Sequence, residues 1–508
     1  MLSKIKSFGL EGLSGYQIEI ETDINFGMPK FDIVGLPDTG VKEAKERVKA
    51  AIKNSNFEFP IHHIVVNMAP ADKRKEGTSY DLGVAVGILV STGQIKKEAV
   101  EGFAFVGELS LDGTIRRVVG VLPTLITASQ LGCKKLCIPK GNEEEARYID
   151  GLEVYAINTL VELVEFFAGN MELKPVEARP FGEKKKERAK GDDFKFVSGQ
   201  QSAKRALEVA AAGNHNILMV GPPGSGKTML AKCLPSILPD LTKEEALETT
   251  KIYSVAGVLS EEDGIVFTRQ VRSPHHTASQ ISLTGGGSKA KPGEISLAHN
   301  GILFLDELPE YPRTVLETLR QPLEDSKITV SRAALTVEYP ANFLMAASMN
   351  PCPCGYFGTK IRKCTCSAKK IHEYLGKLSG PLMDRIDIHI EVDGVGFDKL
   401  SAKGDEEPSE EIKKRVDAAR EIQLKRYKGT QVFSNSKMTV GHSKKFCALC
   451  PAGEKLLKDA FEKMGLSARA YNRIIKVART IADLDGSENI ELPHIAEAIG
   501  YRSLDLNG

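Results

Sequence analysis

No apolar run in the sequence approaches the roughly 18–20 residues that a membrane-spanning helix requires; Gly83–Val90 (GVAVGILV) is among the longest. The opening MLSKIKSFGLEG is basic but lacks the apolar stretch of a secretory signal. A cytoplasmic protein with no membrane partner is therefore expected. Net charge is nearly missing as well, since 68 Lys and Arg stand against 67 Asp and Glu. That balance excludes a polybasic coat protein but not a local basic groove, because a sum says nothing about distribution. Tryptophan is absent, which excludes nothing. The nine cysteines are an odd number, and in a reducing compartment they are expected to be free, metal-bound or catalytic.

What is present is an ordinary globular balance, 42% hydrophobic and 27% charged over 508 residues. At about 100–200 residues per domain, this length suggests about three domains. Residues 1–170 mix short β-branched runs such as Ile61–Met68 with helical stretches such as Val41–Asn54, which reads as an α/β or α+β domain. Residues 171–192 form a charged linker around EKKKERAK, which has no apolar face to bury. From 193 to 395, apolar runs alternate with helices: NILMV at Asn216–Val220, GILFL at Gly301–Leu305, ANFLMAA at Ala341–Ala347. Runs buried on both faces indicate a parallel sheet covered by helices. Residues 396–508 read as a helical lid.

Two motifs carry chemistry. Gly221–Thr228 reads GPPGSGKT, following an apolar strand and opening a helix. This is the setting in which Gly221, Pro222, Pro223, Gly224, Ser225, Gly226, Lys227 and Thr228 would cradle phosphates. Glycines admit backbone N–H groups close to phosphate oxygens, and the helix N-terminus adds a positive dipole. Lys227 would reach the β- and γ-phosphates and the Thr228 hydroxyl would ligate Mg²⁺. The second motif, ILFLDE at Ile302–Glu307, ends a buried strand in two carboxylates. Asp306 would hold Mg²⁺ and Glu307 would orient or deprotonate the attacking water. Asn350 ends another apolar strand, where it could meet the γ-phosphate or serve as a turn residue. Arg385 lies between Asp384 and Asp387, and spacing alone favours a simple ion pair with one of them.

Cys352, Cys354, Cys364 and Cys366 give C-x-C-x₉-C-x-C, a candidate Cys₄ zinc site with free thiols as the alternative. Cys447 and Cys450 are a second pair without a matching half. His275–His276 is an unfavourable metal pair, since adjacent histidines usually point apart. Val255–Glu294 is a glycine-rich, basic insertion containing Arg272, Lys289 and Lys291. Lys327–Val337 alternates like a hairpin, with Arg332 near its turn. Cations on such loops suit sequence-independent phosphate contacts, though solvated structural insertions read the same way.

Taken with ETLRQPLED, MNPCPCGYFG, SGPLMDRIDIHIEV and LSARAYNRIIKVARTIADL, these motifs resemble the YifB/ComM family of magnesium-chelatase-like AAA+ ATPases over essentially the whole chain. The resemblance implies an α/β fold: an AAA+ P-loop core with helical lid, preceded by a Lon-protease-like α+β domain. It implies Asn350 as first sensor, Arg385 as an arginine finger reaching a neighbouring subunit, and Arg469 as second sensor with Arg473 as rival. It further implies ATP and Mg²⁺ as cofactors, a hexameric ring, and action on single-stranded or branched DNA as a branch-migration helicase in recombination or natural transformation. A chelatase motor subunit and an ATP-dependent protease or unfoldase are the alternatives. KEGTSYDLGVAVGILV places the Lon family's nucleophilic serine on Ser79, but its lysine base falls on Pro123, which points to a binding or assembly domain.

Overall fold

The computed structural model describes residues 2–182, 192–287, 290–332, 335–359, 362–394, 406–430 and 432–502. The charged run of the linker and Lys289 lie outside them, as does the side chain of Arg332. The chain forms two compact units, residues 1–185 with 243–267, and residues 186–242 with 268–508. Among the described residues no helix is long and apolar enough to cross a membrane.

The first unit is built on a mixed seven-stranded sheet, ordered Lys30–Val34, His63–Ala69, Ser14–Asn25, Ser3–Glu11, Phe103–Phe105, Lys135–Pro139, Glu153–Ile157. His63–Ala69 shows why it is a strand: Ile64, Val66 and Met68 alternate inward, as a two-residue period requires. Every residue of the helix Asp81–Ser91 is buried. It lies close on the sheet because of Gly83 and Gly87, where a Cβ would come within 2.7 Å of Ile20 and 2.5 Å of Thr22. Arg47 meets the buried Asp81 carboxylate at 2.7 and 3.0 Å.

Residues 243–267 belong to this unit, although they follow the phosphate-loop helix in sequence. The helix Lys243–Ala256 packs on Val121–Gln130. Ser254 Oγ donates to Glu145 at 2.8 Å, Arg117 donates to Leu259 O at 3.0 Å, and Phe267 meets the rings of Tyr148 and Phe181. The basic insertion read from the sequence is thus divided: its first part completes the core of the first unit, and only the remainder, from Thr268, folds with the second.

The second unit holds a five-stranded, all-parallel sheet. Its strands are β1 (Ile217–Val220), β2 (Val271–Arg272), β3 (Ile302–Leu305), β4 (Leu344–Met349) and β5 (Ile388–Glu391), in the order β2-β3-β4-β1-β5. β1, β3 and β4 are buried along their whole length, as their unbroken apolar runs require. The anticipated hairpin is present, Lys327–Arg332 pairing antiparallel with Leu335–Pro340.

The lid shares one core with the sheet. Ser409–Arg426 packs on Gln201–Gly213 and Lys227–Ile237, so that Ile412, Val416 and Ile474 join Leu207, Leu230 and Ile217. Buried Asn435 ties the lid helices together, accepting from Tyr427 at 2.7 Å and donating to Thr480 and Asp483 at 3.0 and 2.8 Å. Nearby, burial pushes Lys437 down to about 8, with Lys476 and Arg473 adding to the effect and Asp387 opposing it. Between about pH 8 and the ordinary lysine range the unfolded chain therefore binds more protons at this position, so this group's contribution to stability rises with pH across that window. Denaturant titrations should show the wild type gaining stability relative to Lys437→Met between pH 8 and pH 10.

Candidate nucleotide site

In a parallel sheet all carboxyl ends lie on one side, and ligands bind in the crevice outside them. β1 and β4 pair with Val220 level with Met349, so the next residues, Gly221 and Asn350, emerge side by side. β3 and β4 pair with Leu305 level with Ala347, which brings Asp306 beside Ser348. The register alone thus gathers the phosphate-binding motif, the acidic pair and Asn350 at one edge.

Local sequence shapes the loop. Gly221 has to be glycine because a Cβ there would lie 2.2 Å from Val392 O. Gly224 and Gly226 have φ of 76° and 89°, the left-handed region that side chains avoid. Gly226 caps the helix Lys227–Ile237 with no side-chain bond, leaving the first-turn amides available to an anion. Lys227 Nζ donates to Gly221 O and Pro222 O, both at 2.8 Å, and lies 3.3 Å from Asn350 Oδ1. Burial lowers its pKa, while Asp306 and Glu307 oppose the shift and favour the cation.

Thr228 Oγ1 donates to Asp306 Oδ2 at 3.0 Å, so a hydroxyl and a carboxylate converge beside the loop. An oxygen-only donor pair at a phosphate loop fits Mg²⁺, which takes few protein ligands and completes its shell with phosphate and water. The other Asp306 oxygen accepts from Ser348 Oγ and from Glu307 N. Glu307 is held at φ 53°, a left-handed conformation that is strained for a residue with a side chain, and its carboxylate lies 3.5 Å from His276 Nδ1. His275 and His276 do not point apart: their rings are 4.1 Å centre to centre.

The arginines lie elsewhere. Arg385 precedes β5, and its carbonyl accepts from Asn216 Nδ2 at 3.1 Å, at the amino end of β1. It pairs with neither neighbouring aspartate. Its guanidinium donates to Pro381 O at 2.7 Å and to Glu324. Asp387 pairs with Arg473 instead; although burial opposes it, Arg473 and His215 hold its carboxyl well below the usual range. Arg469, one helical turn before Arg473, stays exposed and lies 3.9 Å from Glu324. Arg385, Arg469, Arg473 and Lys476 face Glu324 and Asp387 across a cleft of about 320 Å³. Four cations against two carboxylates leave a surplus of positive charge, at the opposite end of the sheet from the phosphate loop.

Sequence reasoning missed Ser348 and Glu324, and weighed His276 only as a metal ligand beside His275, not as a neighbour of Glu307. Ser348 was within reach, since pairing the two apolar strands in parallel puts it level with Asp306. The meetings of Glu324 with Arg385 and of His276 with Glu307 join segments distant in sequence.

The basic-loop residues are not alike. Arg272 lies on β2 and forms a bidentate pair with Glu294 at 2.6 and 2.8 Å, so it is not the loop cation that its sequence setting suggested. Lys291 is exposed in a two-residue pairing with Gly285–Gly286. The Cys352, Cys354, Cys364 and Cys366 sulfurs lie within 4.8 Å of one another. Cys447 is buried, with its thiol 3.8 Å from Met438 Sδ.

In the first unit, Ser79 has no base at Pro123, which lies buried in the first turn of the helix Val121–Gln130. Lys75 donates to Lys73 O at 2.8 Å and to Pro70 O, and Lys73 pairs with Glu11 at 2.7 Å.

Family models for the magnesium chelatase subunit ChlI match residues 193–400 and 20–142, and the model of its C-terminal region matches 406–502. The chain is 43% identical over 501 residues to competence protein ComM of Haemophilus influenzae, covering 97% of this chain and 96% of that one. It is 40% identical over 508 residues to the uncharacterized protein YifB of Escherichia coli, covering 99% and 97%. Lon protease 2 of Bacillus subtilis is 26% identical over 185 residues, about a third of each chain. A parallel sheet carrying GPPGSGKT and an acidic pair at its carboxyl edge, together with the match of ComM and YifB over 97% and 99% of the chain, makes the chain a member of the YifB/ComM family of magnesium-chelatase-like AAA+ ATPases.

Proposed function

We propose that the chain is the protomer of a hexameric ring that hydrolyses ATP between subunits and drives branch migration of DNA. The observation that carries this reading is the separation of the two halves of the site. The phosphate loop sits beyond the carboxyl end of β1, whereas Arg385 is anchored at its amino end. Four strand residues at about 3.3 Å each put some 13 Å of backbone between them, beyond the reach of an arginine that is itself held by Glu324. The cationic cleft therefore serves a phosphate bound to another protomer, and a closed ring satisfies every site in turn.

Within one protomer, Gly221–Thr228 binds the phosphates, and Thr228 with Asp306 would hold Mg²⁺, which would supply positive charge against the phosphates there. Glu307 takes the proton of the attacking water, Asn350 orients the γ-phosphate, and Arg385 with Arg469 arrives from the neighbour. Lys227→Ala loses charge-assisted bonds worth about 1.5–3 kcal/mol, so ATP binding should weaken roughly 10–100-fold, as read by a fluorescent ATP analogue.

DNA as the track is favoured by likeness to a protein named for competence and by the exposed cation Lys291. ATP turnover with single-stranded, duplex and branched DNA, beside a branch-migration assay with Lys227→Ala as control, tests it. Turnover that no DNA stimulates would sink the DNA reading and leave the ATPase. The chelatase-motor reading is favoured by the three ChlI models. It requires ATP-dependent insertion of Mg²⁺ into a porphyrin in the same preparation.

A further inference from the structure

The four cysteines sit in a loop that touches the nucleotide site at two points. Sγ–Sγ distances are 3.3 Å for Cys352–Cys354, 3.7 Å for Cys352–Cys364 and 3.6 Å for Cys354–Cys364. Four thiolates around a tetrahedral Zn²⁺ at about 2.3 Å stand roughly 3.8 Å apart, so the arrangement is close to that of a metal site. Two backbone amides aim at the sulfurs, Phe357 N at Cys352 Sγ (3.3 Å) and Cys366 N at Cys364 Sγ (3.4 Å). Such N–H···S contacts orient a thiolate and temper its charge. No two of the sulfurs are joined as a disulfide.

The loop's turn is closed by Gly355 N donating to Cys352 O at 2.9 Å, with Gly355 at φ 85°. A Cβ at Gly355 would lie 2.4 Å from Pro223 Cδ, so the cysteine turn rests directly on the phosphate loop. Two residues before Cys352, Asn350 meets Lys227. Pressing on Pro223 and presenting Asn350 are thus done by one short segment.

We infer that Cys352, Cys354, Cys364 and Cys366 bind one structural Zn²⁺ and that this metal holds the phosphate loop and Asn350 in register, so nucleotide binding depends on zinc occupancy. The dependence rests on the reading of Gly221–Thr228 as the nucleotide site; the metal site does not. Chelation of the metal then disables the motor without altering a residue that contacts ATP.

The experiment measures zinc by mass spectrometry and binding of a fluorescent ATP analogue on the same full-length protein. One zinc per chain is expected, falling to none in Cys364→Ser/Cys366→Ser, and a tetrahedral thiolate visible spectrum is expected after exchange to Co²⁺. Stripping zinc from the folded wild type, with circular dichroism to show that it stays folded, should weaken analogue binding at least about tenfold, and added Zn²⁺ should restore it. Gly355→Ala should weaken binding while retaining zinc. Zinc-free purified protein with all four thiols freely reactive overturns the site. Stripped, folded protein that binds the analogue as before overturns the coupling. Wild type that carries zinc but never binds the analogue overturns the nucleotide reading and leaves the metal site standing.

Discussion

Arg385→Ala is expected to lower ATP turnover by about three orders of magnitude while nucleotide affinity changes little. An arginine that meets the γ-phosphate from a neighbouring subunit stabilises charge only as the transition state forms, and such residues are worth about 10³–10⁵ in rate. Affinity survives because Gly221–Thr228 belongs to the binding protomer. Arg385 is 7% exposed and pairs with Glu324, so its removal also costs some packing. A melting curve beside the kinetics separates that cost from the catalytic one. Arg385→Lys should recover little, because a point charge on a flexible stem does not reproduce the planar fork of guanidinium donors.

Glu307→Gln is expected to reduce turnover by about 10²–10⁴-fold, the usual contribution of a positioned general base. The amide keeps the shape of the side chain but cannot accept the proton of the attacking water. Binding should be unchanged or tighter, and any ring that forms with ATP should persist. The left-handed backbone at Glu307, fixed in part by its amide donating to Asp306 Oδ1 at 3.0 Å, holds the carboxylate in place. Single-turnover hydrolysis and equilibrium binding, measured on the same preparation, separate loss of chemistry from loss of affinity.

The phosphate-binding motif and the acidic pair were legible because each is a contiguous signature at the end of an apolar run, and parallel pairing then dictates that they meet. Three of the five strands, β1, β3 and β4, were legible for the same reason. The surroundings of the arginines were not. Spacing suggested that Arg385 pairs with Asp384 or Asp387, yet Asp387 binds Arg473 and Arg385 binds Glu324, sixty-one positions away. Long-range ion pairs of this kind are set by packing, which sequence spacing does not encode. Arg272 misled for a related reason: a basic, glycine-rich setting reads as a loop, whereas Val271–Arg272 pairs with Ile302–Leu303 as a sheet strand and Glu294 closes the ion pair. The division of the basic insertion between two units was equally hidden, because Leu259, Ile265 and Val266, which are buried in the first unit, carry no mark in the sequence of which core they join.

The central claim is that each ATP is enclosed by two protomers, and it is tested most directly by mixing two inactive variants. Lys227→Ala removes the phosphate-binding cation but retains Arg385, whereas Arg385→Ala does the reverse. In mixed rings some intact phosphate loops face an intact arginine, so the mixture should hydrolyse ATP well above the sum of the two variants measured alone, with a maximum near equal proportions. A mixture whose rate equals that sum at every ratio, in rings shown to exchange subunits, would contradict the account.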